Sequence, residues 1–179
     1  MKLLRTIRLD PSDTFVFEKA AEPGEWAVSG AFAFAHLDAA KLEGKARAAF
    51  RSGFLGVDSL GWSTLVQIVE ASEDDRIAAV ELLAQRLVER FGAPDLATAR
   101  PAAEEEIAFA ASLSDHPKGM LAAVSRKYED GTIREAFRTL TPAVGPKPLR
   151  AYAFLEVAGD EGPPEEHVDL MTIAKGERT

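Results

Sequence analysis

Hydrophobic and polar positions alternate most regularly between Glu25 and His36. Trp26, Val28, Phe32, Phe34 and His36 fall on one side with Gly30 among them, and Ala27, Ser29, Ala31, Ala33 and Ala35 fall on the other. A strand reverses its side chains at each residue, so this spacing predicts a long strand with one bulky face and one small face. Leu3 to Leu9 and Thr14 to Lys19 read as strands before it. Asp10-Pro11-Ser12-Asp13 and Glu22-Pro23-Gly24 form the turns between them, which favours an antiparallel meander.

Helical spacing takes over next. Leu42, Ala46, Ala49 and Phe50 predict a helix over about 38–52, closed by Gly53 in a left-handed position. Leu60 to Glu70 reads as a strand rich in β-branched residues. Ser72 then caps a helix carrying Ile77, Val80, Ala84, Leu87, Val88 and Phe91, stopped by Gly92 and Pro94. Pro101 suits the first position of another helix, with Glu104, Glu105 and Glu106 near its positive end. Met120 to Tyr128 and Thr132 to Leu140 are strands joined at Asp130-Gly131, a pair that tolerates the positive φ of a tight primed turn. Arg150 to Val157 is the last strand. Strands come in runs, so the fold class is α+β, a mostly antiparallel sheet with about three helices packed on one face. A ferredoxin-like arrangement of the central β-α-β stretch is the alternative. Residues 1–158 form the domain, and 159–179 form an acidic Pro/Gly loop and tail that can dock on it.

Composition narrows the chemistry. The 179 residues suffice for one core. With 21 Lys plus Arg against 29 Asp plus Glu, the net charge of −8 disfavours nucleic acid as a partner. No cysteine is present, which removes thiolate nucleophiles, disulfides and cysteine-held metals. No apolar run reaches the length of a membrane span, so a cytoplasmic protein without a membrane partner is expected. Neither a nucleophile elbow nor a phosphate-binding Gly-rich loop occurs, and no cofactor is called for.

Three weaker constellations remain. His36-Leu37-Asp38 and His167-Val168-Asp169 each place a carboxylate two residues after a histidine, and His116 can complete a metal site with His36 and Asp38. Such pairs arise easily in an acidic chain, and a histidine at a strand end is ordinarily a polar rim of the core. Second, a two-residue turn at Asp130-Gly131 puts Arg126 opposite Glu135 on the core face and Lys127 opposite Arg134 on the other, with Arg138 further along. Lys127, Arg134 and Arg138 are therefore candidates for docking an acidic protein partner or a small anion. The ordinary alternative is a solvated charged face. Third, the aromatic side of 26–34 can line a pocket for an apolar small molecule beside Phe32 and Phe34, although aromatics at this spacing usually fill a core.

The opening Met1-Lys2-Leu3-Leu4-Arg5-Thr6-Ile7-Arg8-Leu9-Asp10-Pro11-Ser12-Asp13-Thr14-Phe15-Val16-Phe17, with Glu22-Pro23-Gly24-Glu25-Trp26, resembles a family of small bacterial proteins of unknown function. The likeness covers most of the chain. It implies a bacterial cytoplasmic protein and brings no catalytic residues. The expectation from the residues is a non-catalytic binding or accessory module, self-association through a sheet edge or face included. A small metal-dependent enzyme is the competing class.

Overall fold

The computed structural model describes residues 1–142 and the short strand at 155–157. The chain runs β1 (Lys2–Ile7), a helical turn α1 (Asp13–Val16), β2 (Trp26–Val28), two 3-10 turns (Ala31–Phe34 and Ala39–Lys41) and α2 (Gly44–Ser52). It continues through β3 (Phe54–Gly56), β4 (Trp62–Ser63), β5 (Leu65–Glu70), α3 (Glu73–Arg90), α4 (Leu96–Leu113), β6 (Leu121–Glu129), β7 (Thr132–Pro142) and β8 (Leu155–Val157). The strands form one sheet in the order β4-β3-β2-β1-β5-β6-β7-β8, and each named ladder is antiparallel. The class is α+β. β5 and β6 are direct neighbours, so no strand is inserted between them as a ferredoxin-like arrangement would require.

Register decides which face is buried. Leu4 lies opposite Ile68, Thr6 opposite Val66, and Val66 opposite Ala122, so these side chains share a face with Val124. That face meets Ala79, Val80, Leu83, Ala84 and Leu87 of α3 and Ala99, Ala103, Ile107 and Ala110 of α4 in the main core. Each fully buried Val, Leu or Ile side chain there stabilises the fold by about 1.5–3 kcal/mol, and each alanine by less. A second core joins Phe17, Phe34, Ala39, Ala49 and Phe50 around α2. On the opposite sheet face, Leu121 and Leu140 gather Ile7, Leu65 and Ala123.

The long strand expected over 25–36 ends at Val28. Gly30 takes φ +82°, and a Cβ there would sit 2.6 Å from that of Leu55. Only glycine fits, and the chain turns. Ala31–Phe34 then winds as a 3-10 turn, where residues two apart no longer point the same way. Phe32 goes to the main core, edge-on to Phe91, while Phe34 packs between Phe50 and Trp62 in the second. The alternation of large and small residues was that of a tight turn serving two cores.

Other boundaries moved for local reasons. The expected strand over 14–19 is the turn α1. Buried Asp13 accepts from Thr64 N (3.1 Å) and Thr64 Oγ1 (2.6 Å), which leaves Phe15 72% exposed and sends Phe17 inward. The helix expected from about 38 starts at Gly44, since Leu42 and Glu43 are extended. Gly53 is also extended, not left-handed. The expected strand 60–70 is split at Thr64. Ser63 Oγ donates to Ile7 O at 3.2 Å and Leu65 O at 2.6 Å, taking up carbonyls beside the break. α4 begins at Leu96, capped by Asp95, and Pro101 lies inside it. Ser72 caps α3 as expected, and Asp75 closes the reciprocal half of the capping box. Of the expected strand 150–157, the described part is β8; the tail 159–179 lies outside the described residues.

Gly53 is held by close approach. A Cβ there would lie 2.8 Å from Trp62 Cε3 and 2.9 Å from Ala49 O. Gly53→Ala should cost about 1–3 kcal/mol in urea denaturation, the range for overpacking a tight site. An unchanged midpoint would mean that Trp62 gives way freely.

Candidate functional site

The β6–β7 hairpin organises the polar groups. Asp130 and Gly131 take φ +51° and +74°, the paired positive values of a primed turn. The ladder then sets Arg126 opposite Glu135, Lys127 opposite Arg134, Tyr128 opposite Ile133 and Val124 opposite Phe137, as the two-residue turn predicted.

Arg126 is 2% exposed and shares the core face with Val124. Its Nε donates to Glu135 Oε2 at 2.8 Å. One terminal nitrogen donates to Phe50 O (3.1 Å), Gly53 O (2.7 Å) and Ala49 O (3.4 Å). The other donates to Ser29 O and, at 3.3 Å, to Ser29 Oγ. A guanidinium has five N–H donors in a rigid fork, and every nitrogen here is engaged. The carbonyls of Ala49 and Phe50 belong to the last turn of α2, where the helix dipole is negative. One cation thus closes α2, ties it to the end of β2 and fastens both to the hairpin.

Glu135 completes the set. Its Oε2 also accepts from Ser29 Oγ at 2.5 Å. Burial lowers the Arg126 pKa, and the Glu135 charge opposes that shift. Glu106, half-buried on α4, is pushed up from 4.5 to about 7, by burial first and then by the charges of Glu135 and Glu105, with Arg126 opposing. The sequence places Glu104 to Glu106 at a helix start, where the dipole accounts for acids. Because α4 starts at Leu96, Glu106 lies three turns in, beside the buried stripe of Ala103, Ile107 and Ala110. Helical phase from Asp95 was the signal that could have found it.

The chain belongs to DUF6505, a family of unknown function. The family model matches residues 1–153, which takes in the hairpin and every partner of Arg126. No curated protein and no solved structure matches the chain.

In this DUF6505 chain His36 and Asp38 follow the first 3-10 turn, while His116 stands beyond the end of α4. His36 is exposed just after the first 3-10 turn. Asp38 accepts from Ala40 N at 3.2 Å and pairs with Lys41 at 3.6 Å. His116 follows α4, where its carbonyl accepts from Lys2 Nζ. Among the described residues no three His, Asp or Glu side chains form a metal-holding group; His167 lies outside them. Lys127 and Arg134 are exposed on the sheet face opposite Arg126, and Arg134 pairs with Glu129 at 3.4 Å. Arg138 is half-buried on that same face, across from Ala123. Phe32 and Phe34 are occupied by their ring partners. A cleft of about 130 Å³ instead lies elsewhere, between the end of α4 and the sheet, with Phe54, Leu113, Ala122, Phe137 and His116 in its walls.

Breaking the buried pair gives a sharp test. Arg126→Met leaves Glu135 without its cation and removes the guanidinium donors to Phe50 O, Gly53 O and Ser29 O, so urea denaturation should show a loss of about 3–5 kcal/mol. Arg126→Lys should not restore it, because an ammonium lacks the fork that reaches both α2 and β2. A loss under about 1 kcal/mol for the Met variant would contradict the pinning role.

Proposed function

We propose that this DUF6505 protein is a non-catalytic binding or accessory module that docks an acidic protein partner through the outer face of its β6–β7 hairpin. The observation that carries this reading is the register. Lys127 sits opposite Arg134, and Arg138 follows four residues on along the same strand and the same face. Like charges directly opposite each other are unfavourable, and an anionic partner relieves that cost. The Arg134–Glu129 pair is exposed, so it competes weakly. The neighbouring cation, Arg126, is fully committed to the fold, whereas Lys127 and Arg134 are exposed. A bacterial, cytoplasmic setting fits the reading; no described helix is long and apolar enough to cross a membrane.

The test is capture of a glutamate-rich peptide. Replacing Lys127, Arg134 and Arg138 together by glutamine should weaken binding about tenfold or more, equivalent to about 1.4 kcal/mol. Raised salt should weaken wild-type binding in the same direction. Equal capture by wild type and variant removes the hairpin from the reading.

A second reading, a pocket for an apolar small molecule, is favoured by the cleft walled by Phe54, Ala122 and Phe137. Its volume is close to that of a cavity known to admit a single ring, about 150 Å³. Toluene should raise the melting temperature of wild type, and Ala122→Leu, which fills the cleft, should abolish the rise. No stabilisation of wild type counts against this pocket.

A further inference from the structure

Thr139 stands across from Ala122 in the β6–β7 ladder, so both side chains lie on the core face, as do Val124 and Phe137 two residues along. Val66 of β5 flanks Ala122 from the other side. Among these larger neighbours Ala122 contributes a single methyl. α4 ends at Leu113, and the chain rejoins the sheet only at Gly119, whose N–H donates to Ile68 O at 2.8 Å. A short side chain in the sheet and a helix that stops beside it leave the cleft of about 130 Å³. Close-packed interiors rarely keep such a space.

The walls are aromatic. The rings of Phe54 and Phe137 have centroids 6.1 Å apart, and Phe137 meets Phe109 edge-on at 5.7 Å. A planar ring entering beside Phe54 and Phe137 extends this cluster through the same edge and face attraction. Polar groups are few. Ser112 Oγ donates to Phe109 O at 2.6 Å, back into its own helix. His116 borders the cleft beyond α4. Arg138 lies on the other face of β7, across from Ala123, so a carboxylate entering the cleft would give up its water with no guanidinium to replace it. Thr139 is half-buried, and its hydroxyl has no hydrogen-bond partner among the described residues. An apolar guest strips water from that hydroxyl and offers nothing in return. A guest with a hydroxyl of its own replaces the water it displaces.

We propose that the cleft takes a small neutral aromatic alcohol, phenol being the simplest case, with its ring against Phe54 and Phe137 and its hydroxyl hydrogen-bonded to Thr139 Oγ1. This rests on the pocket reading above and adds the class of ligand. The cation row on the outer face of the hairpin plays no part in it.

Amide-detected NMR titration of the full chain with toluene and with phenol separates the two claims. Wild type should bind both, with the largest shifts at Leu113, Ala122, Phe137 and Thr139. Thr139→Val keeps a branched side chain suited to a strand and removes the hydroxyl. It should weaken phenol about tenfold and leave toluene within about twofold, tenfold corresponding to about 1.4 kcal/mol, the size of one hydrogen bond. Thr139→Ser, which keeps the hydroxyl, should bind phenol as wild type does. Toluene binding with phenol unaffected by Thr139→Val, or an equal loss of both compounds in that variant, overturns the ligand class and leaves the pocket standing. Binding of neither compound to wild type overturns both. Should Thr139→Val not fold, intermolecular NOEs to phenol in wild type decide. Contacts with the Thr139 methyl and the Phe137 ring support the class, and bound phenol without them overturns it.

Discussion

A buried guanidinium governs this fold. Arg126 reaches the end of α2, the end of β2 and the opposite strand of its own hairpin, three segments that lie far apart in the chain. Removing so large a charge from water is costly, and the cost is offset only if each donor finds an oxygen. Each nitrogen does. That requirement fixes the positions of Gly53, Phe50 and Ser29 relative to the hairpin more tightly than apolar packing would, because hydrogen bonds have directions and contact with hydrocarbon does not.

The two sides of the hairpin consequently differ in kind. Inward, Arg126 and Glu135 are satisfied within the molecule. Outward, Lys127 and Arg134 remain in water across from each other. The primed turn at Asp130-Gly131 is the origin of this division, since a slip of one residue would exchange the two rows. A turn of two residues thus determines which cations hold the fold together and which stand in water.

Much of this was legible in the sequence where a local signal had a single meaning. Ser72 and Asp75 announced the α3 cap, and Asp130-Gly131 announced the hairpin with its register down to Arg126 and Glu135. Elsewhere a local pattern had two meanings. The alternation over 25–36 fitted a strand, yet Gly30 approaches Leu55 so closely that the chain must turn, and no property of the segment itself reveals that contact. Pro101 is favoured at a first helical position but also tolerated inside α4, so it misplaced the helix start and hid Glu106 behind a dipole argument. Apart from Glu135, the partners of Arg126 are mainly backbone carbonyls more than seventy residues away, which side-chain identity does not encode.

Trp62 borders both the main and the second core: it stacks on Phe34 on one side and meets the main core on the other. The chain has two tryptophans, and the other, Trp26, lies beneath the guanidinium of Arg5 at 3.8 Å. The indole of Trp62 is therefore a built-in optical gauge of the seam joining the two halves of the interior. With Trp26 replaced by phenylalanine, its emission reports whether they come apart together or one after the other.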